Sequence, residues 1–438
     1  MRIPVQVYAE PDMTDIEHII KRPDQHDSEI REQVRGILDQ VRLKGDQALK
    51  EFTRIFDRVE IDRILLTDKE VAAAASKVAP ELKTAMEQAR ANIYAFHAAQ
   101  GKSEVSVETQ KGVRCWRRVQ PIERVGIYVP GGVAPLFSSV FMLAIPAQIA
   151  GCSEIVLASP PNKTGDIYPA TVYAAQLCGV TKIIRAGGAQ AIAAMAYGTT
   201  SVPKVDKILG PGNRYTTAAK QMVAGEYTAV DIPAGPSEVM ILADSSSVPE
   251  VIAADMLSQA EHGNDSQAIA VVPDKKMADQ VISELLDQLE KLPRKEFALA
   301  SLANSMIVCT EDREKILNLV NGYAPEHLII LRQDADQWET CIKHAGSVFM
   351  GPWTPESAGD YASGTNHTLP TGGWARAYSG ISVESFQKHI TFQRIEPAGL
   401  RNLGPVVEIL ASEEGLEGHR NAVTVRLNRL HGEKGGTV

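Results

Sequence analysis

The stretch Asp255-Met256-Leu257-Ser258-Gln259-Ala260-Glu261-His262-Gly263 sets two side chains of types able to ligate a metal, Gln259 and His262, three residues apart. An amphipathic helix is expected to end here. Pro249 suits its first turn, Ser247 can cap it, and Gly263 stops it; Val251, Ile252, Met256 and Leu257 supply the apolar face. Residues three apart share a helix face, so an amide oxygen and an imidazole nitrogen project side by side. Such a pair can begin a metal site but cannot complete one. Taken alone, it also reads as a helix end with a capping histidine.

Other residues of the same chemical kind lie further on. Glu326-His327 joins a carboxylate to an imidazole ahead of an apolar strand, which makes an acid/base pair if both face one pocket. Neighbouring strand residues point to opposite faces, so a shared pocket requires loop geometry at this dipeptide. Residues 352–367 (PWTPESAGDYASGTNH) are the densest polar stretch, read as an irregular segment holding Asp360 and His367. Asp360 can be a hard anionic metal ligand or a turn residue. His419 follows Glu414 by five residues in a C-terminal helical tail, where a core histidine is the ordinary reading.

The elements that position these residues follow from periodicity. Residues 1–25 read as a polar arm. Helices are expected from Ser28, over Asp46–Phe56, and from Thr67 to Ala99, with a hairpin over Val105–Trp116. From residue 123 strands and helices alternate: Arg124–Val129, Glu154–Ala158, Lys182–Arg185 and Asp206–Leu209 are strands separated by helices and glycine turns. The alternation restarts with strands at Glu238–Ala243, Ala268–Val272, Met306–Cys309, Leu328–Leu331 and Ser347–Met350. The fold class expected is α/β: two doubly wound Rossmann-like sheets with N-terminal and C-terminal helical arms. Beyond Gly380 the chain reads as helical, with one stripe of Leu403, Val406, Val407 and Leu410 and another of Leu416, Val423, Leu427 and Leu430. No G-x-G-x-x-G and no G-x-x-x-x-G-K-[ST] is present, so the usual dinucleotide and P-loop fingerprints are both missing.

Composition bounds the function classes. The chain has 438 residues, 44% hydrophobic and 23% charged, with a formal net charge of -9. That length implies more than one core, and the negative balance argues against nucleic acid as a partner. Five dispersed cysteines without a C-x-x-C pair suggest reduced thiols. The first residues lack an apolar signal core, and the run Val140–Ala150 is too short to span a bilayer. A cytoplasmic enzyme away from membranes is expected.

Eight segments together resemble the histidinol dehydrogenase family: Val125–Ser138 (VGIYVPGGVAPLFS), Arg185–Ala196 (RAGGAQAIAAMA), Leu209–Tyr215 (LGPGNRY), Ile232–Glu238 (IPAGPSE), Asp255–Gly263 (DMLSQAEHG), Tyr323–Leu328 (YAPEHL), Ala345–Pro370 and Glu414–Val425. They span essentially the whole chain in family order. The resemblance implies oxidation of L-histidinol to L-histidine through L-histidinaldehyde, with two NAD+ consumed in the last two steps of histidine biosynthesis.

Residue by residue, the resemblance implies one zinc ion per subunit on Gln259, His262, Asp360 and His419. Glu326 then activates water and His327 takes the hydroxyl proton. Substrate contacts fall to Ser237, Gln259, His262, His327, Asp360, His367, Glu414 and His419, and NAD+ contacts to Tyr128, Gln190 and Asn213. The implied assembly is a homodimer in which Glu414 and His419 serve the other chain's site. In these terms 1–25 is an arm, and 26–122 with 238–380 form the domain carrying the zinc and catalytic residues. Residues 123–237 form the NAD-binding domain, and 381–438 a helical arm on the partner subunit. A related dehydrogenase acting on another diol, and a zinc hydrolase using Glu326 without a dinucleotide, are the competing readings.

Overall fold

The computed structural model describes residues 3–22, 28–101, 104–131, 135–231 and 235–432. The glycine turn after Pro130 and the start of the IPAGPSE segment therefore lie partly outside the described residues. Two compact units are present, Met1–Gln100 with Ile122–Phe386, and Gly101–Pro121 with Gln387–Val438.

The larger unit holds two parallel sheets. The first is ordered Gln6–Ala9, Met306–Cys309, Gln267–Val272, Glu238–Leu242, His327–Ile330, Ser347–Met350. Its four inner strands are apolar runs because both faces are covered. Val239, Ile241, Ala268, Ala270 and Ile307 meet the helices Pro249–Ala260 and Lys275–Leu289. The alternate residues Met240, Leu242, Ile269, Val271 and Val308 meet Met13–Ile20 and Arg313–Tyr323. The second sheet is ordered Lys182–Arg185, Glu154–Ser159, Arg124–Tyr128, Lys207–Leu209, Ala229–Val230. Leaving aside the added edge strand Gln6–Ala9, both sheets share one order. The first strand is central, the next two lie to one side, and the last two to the other. The alternation seen in the sequence is thus a repeated topology.

Several expectations are corrected. The polar arm expected over residues 1–25 is built into the first sheet where it is described: Gln6–Ala9 pairs in parallel with Met306–Cys309, and Met13–Ile20 packs on that sheet. The helix expected from Thr67 to Ala99 is two helices, Asp68–Ser76 and Pro80–Ala98, because Pro80 restarts the chain at a first turn. The helix from Asp46 ends at Phe52 and passes into a π-helical turn over Thr53–Asp57. Ser247 does not cap its helix; the cap position is Val248, and the Ser247 hydroxyl donates to Leu331 O at 3.1 Å. Helix Ser28–Lys44 packs on Gly188–Tyr197 and Arg214–Val223, and Pro80–Ala98 on Ser138–Ala150. These helices cover the second sheet, whereas the sequence had suggested that they belong with the first.

The smaller unit is an antiparallel sheet with strand order Gln387–Ile395, Val113–Pro121, Val105–Gln110, followed by helices Pro397–Glu413 and Glu417–Gly432. The hairpin was expected; the strand after residue 386 was not. Leu427 packs on Gly404 and is buried, but Val406, Ile409, Leu410, Leu416 and Val425 are exposed. Among the described residues, no helix is long and apolar enough to cross a membrane, and the five cysteines form no disulfide.

Candidate active site

Glu326 and His327 are held by one residue of the neighbouring strand. The Glu238 N–H donates to Glu326 Oε2 at 2.9 Å, and the Glu238 carbonyl accepts from His327 Nδ1 at 3.1 Å. His327 is the first residue of its strand and Glu326 lies just before it, where Ala324 has φ +52°. This is the loop geometry that a shared pocket requires. With Nδ1 donating, the lone pair of His327 lies on Nε2, which is buried and has no hydrogen-bond partner.

Glu238 is itself fixed. Arg22 donates to both of its carboxylate oxygens, at 2.5 and 2.7 Å, and to Tyr323 O at 2.8 Å. Gly372 N–H adds a third bond at 3.2 Å. Gly346 presses on Glu326 from the other side: a Cβ there would meet Glu326 O at 2.5 Å.

The metal-binding candidates converge on the same edge. Gln259 sits in the last turn of Pro249–Ala260 and His262 just beyond it. Asp360 Oδ1 lies 3.6 Å from His327 Nε2. Residues 356–361, expected to be irregular, form a helical turn, so Glu356 and Asp360 share a face at i, i+4. Single ligand atoms of His262, Glu356 and Asp360 all lie within 4.8 Å of one another. Neither Glu356 nor Asp255 had been singled out from the sequence. Reading Glu356-Ser357-Ala358-Gly359-Asp360 as a helix would have found the first, and the i, i+4 spacing of Asp255 and Gln259 the second.

A divalent cation fits this donor set. Gln259 is fully buried, and neither of its amide atoms has a hydrogen-bond partner. Both oxygens of Glu356 and Oδ2 of Asp255 are likewise buried and unpartnered. Orphaned buried polar atoms are costly unless a ligand takes them up. The electrostatics agree. Burial pushes Glu326 up to about 8, Glu356 to about 7 and Asp255 to about 6. Burial alone would depress His327, but the negative charge of Glu356, Glu326 and Asp360 outweighs it and lifts the imidazole to about 10; a cation held by Asp360 would offset that charge and favour the neutral ring with its lone pair on Nε2. These buried carboxyl groups resist ionisation, and a bound cation would relieve that resistance.

His367 links Asp360 to the second sheet. Its Nδ1 donates to Asp360 O at 2.8 Å, which leaves Nε2 to accept from the Ser139 hydroxyl at 3.2 Å. Asn366 Nδ2 donates to Met142 O at 2.6 Å, and Asn92 Nδ2 to Ala362 O at 2.9 Å. The stretch carrying Asp360 is therefore moored to helices Ser138–Ala150 and Pro80–Ala98. Ser237 immediately precedes Glu238, and its carbonyl accepts from Gln267 N–H at 3.1 Å.

The dinucleotide candidates lie at the carboxyl edge of the second sheet, beside the switch in strand order where such ligands bind. Tyr128 ends the central strand, and its hydroxyl accepts from Gly188 N–H at 3.0 Å. Gln190 is buried with Oε1 unpartnered, and Asn213 caps Arg214–Val223. Gly210 lies against Tyr128, where a Cβ would come within 2.3 Å of Tyr128 O. The Glu326/His327 cluster instead occupies the amino edge of the first sheet, opposite to the usual rule. Glu414 and His419 are not part of this cluster within the larger unit. They are exposed residues of the smaller one, at the end of Pro397–Glu413 and in Glu417–Gly432.

The family model described as histidinol dehydrogenase matches residues 20–427. The chain is 53% identical over 412 residues to histidinol dehydrogenase of Bacteroides thetaiotaomicron, covering 94% of this chain and 96% of that one. It is 50% identical over 399 residues to that of Salmonella typhimurium, covering 91% of each. The crystal structure of histidinol dehydrogenase from Elizabethkingia anophelis superposes with a TM-score of 0.95 at 46% identity, covering 98% of this chain and 100% of that one. With likeness of this extent in both sequence and structure, the chain belongs to the histidinol dehydrogenase family.

Proposed function

We propose that this chain oxidises L-histidinol to L-histidine through L-histidinaldehyde, with NAD+ as the acceptor in both steps and one zinc ion per subunit. The observation that carries this reading is the Glu238 clamp: one backbone residue presents a base, His327, and a carboxylate, Glu326, beside a cluster of orphaned metal-binding atoms. Gln259, His262 and Asp360 would hold the metal from within the chain, and His419 of a second copy would complete the set. The exposed apolar residues Val406, Ile409 and Leu410 on Pro397–Glu413, and Leu416 in the turn between Glu414 and the helix that carries His419, support such pairing.

When bound, zinc supplies a Lewis-acidic anchor for substrate nitrogen donors, and NAD+ the electron acceptor. The protein residues move the protons. In the first oxidation His327 Nε2 accepts the hydroxyl proton. His327 passes that proton to solvent before the second step; Glu326 accepts a proton from the water that adds to the aldehyde, and the neutral His327 then accepts the hydroxyl proton of the hydrate in the second oxidation. Both residues are nearly buried, so an aldehyde held against them would meet little bulk water. Ser237, His367 and Glu414 would contact substrate, and Tyr128, Gln190 and Asn213 the dinucleotide.

The test follows NADH formation with L-histidinol, with and without a chelator. Two NADH per histidinol, with little free aldehyde and loss of activity on chelation, is the expected result. Accumulation of aldehyde at one NADH per substrate overturns the single-site reading.

A further inference from the structure

Glu356 has no role in the chemistry described so far, yet it is the least satisfied carboxylate of the site. Its residue is 1% exposed, and neither oxygen has a hydrogen-bond partner. Oε1 lies 3.4 Å from His327 Nδ1. The other carboxylate near Nδ1, Glu326 Oε2, is further away at 3.8 Å and already accepts the Glu238 N–H. A buried carboxylate without a partner is expensive, and it persists where an opposite charge forms against it.

We propose that Glu356 is the positioning residue for His327. It fixes the ring with Nδ1 turned inward and Nε2 turned toward substrate, and it faces the positive charge that appears when Nε2 takes the hydroxyl proton. The arrangement follows the logic of a buried carboxylate behind a catalytic histidine. The Glu238 carbonyl selects the tautomer at 3.1 Å, and Glu356 adds the negative charge that a carbonyl lacks. The six-residue helix Glu356–Tyr361 is the device that couples the two sides. Its first residue stands behind Nδ1, while Asp360, one turn later, stands 3.6 Å in front of Nε2. His327 is thus bracketed by two carboxylates from one helical turn. Phe349, 6.0 Å from the imidazole centre, packs beside it, and a Cβ at Gly359 would collide with the Phe349 ring at 2.6 Å. The glycine between the two carboxylates is what lets this turn approach the ring.

This inference rests on the reaction proposed above, and Glu356 also lies within reach of the metal-binding group. The experiment separates these readings. Glu356→Gln, Glu356→Asp, His327→Asn and the double variant Glu356→Gln/His327→Asn are assayed for kcat and KM with L-histidinol and with L-histidinaldehyde, and for zinc per chain. Glu356→Gln should lower kcat by about 10²-fold on both substrates, the scale of a misplaced catalytic group. KM and zinc content should stay close to wild type, and Glu356→Asp should recover part of the loss. In the His327→Asn background the same change should cost less than about threefold, because a residue that acts through another has nothing left to position. An undiminished loss in that background, or zinc loss in parallel with activity, overturns the proposal and makes Glu356 an independent group or a ligand. If Glu356→Gln does not fold, Glu356→Asp and its double variant with His327→Asn carry the same comparison. Wild-type protein that forms no NADH from histidinol would instead overturn the proposed reaction, a separate outcome.

Discussion

Arg22 grips both oxygens of Glu238, 216 residues away in sequence, and so fixes the backbone that holds Glu326 and His327. The pair is nearly buried, at 16% and 5% side-chain exposure. Arg22→Met leaves a buried carboxylate without its partner and should cost about 3–5 kcal/mol. Urea unfolding measures this. Arg22→Met/Glu238→Met should regain most of the stability. Equal stability of Arg22→Met and wild type would show that the pair holds nothing in place.

Glu326 and His327 should separate by reaction step. Glu326→Gln should slow oxidation of the aldehyde more than that of the alcohol, since only the second step consumes water. His327→Asn should slow both, each by roughly 10²–10⁴-fold. Steady-state rates with the two substrates decide it, and equal losses for Glu326→Gln would remove the division of labour.

The orphaned amide of Gln259 predicts opposite effects with and without metal. Without metal, Gln259→Met should be more stable than wild type by about 1–3 kcal/mol, the cost of an unsatisfied buried polar group. With zinc added, wild type should gain about 2.7 kcal/mol at a hundredfold excess over Kd, and the variant much less. Thermal melts with chelator and with zinc provide both comparisons. A variant that gains as much from zinc as wild type would exclude Gln259 as a ligand.

His419 should act across a dimer. His262→Ala and His419→Ala should each be inactive alone. In a mixed dimer one site carries both lesions and the other carries none. Random pairing puts about half of the molecules in that class, so co-expression should restore roughly a quarter of wild-type activity. Mixed dimers that form and stay inactive would place His419 within its own chain's chemistry or outside it altogether.

Asp57 offers a pH test away from the Glu326/His327 cluster. Burial raises its carboxyl from 3.8 to about 6, and Oδ2 is buried without a partner. The folded state therefore binds this proton more tightly than the unfolded state. The stability Asp57 contributes is complete below pH 3.8 and is lost as pH rises through about 6. Asp57→Asn should accordingly gain on wild type across that window and hold a constant advantage above it. Chemical unfolding at a series of pH values follows the difference, and a pH-independent difference would contradict the assignment.

The strand–helix alternation was legible because each buried strand is a short apolar run closed by a turn. What was not legible was contact between distant segments. Gln387–Ile395 is exposed along most of its length and alternates only briefly, at Ile390 and Phe392; its pairing with Val113–Pro121 makes it a strand. Gln6–Ala9 is four residues long, and its partner lies far along the chain. Helix Ser28–Lys44 shows its apolar stripe plainly, but nothing in the stripe says which sheet it covers. At the site, the residues proposed for acid/base and metal chemistry could be picked out by type, but only the family resemblance favoured them over ordinary structural roles. Arg22, Glu238 and Glu356 did not, because each acts through a neighbour brought to it by the fold.

The edge pairing of Gln6–Ala9 with Met306–Cys309 sets a timetable for synthesis. On the ribosome the first strand emerges about 300 residues before its partner. At ~5–20 residues per second that interval is about 15–60 s. Within it, the second sheet and the helices that cover it become complete and can close their own core, while the amino-terminal strand stands unpaired. Its four residues offer few edge hydrogen bonds for another chain to capture. The brevity that hid this strand in the sequence shortens the edge exposed during the wait.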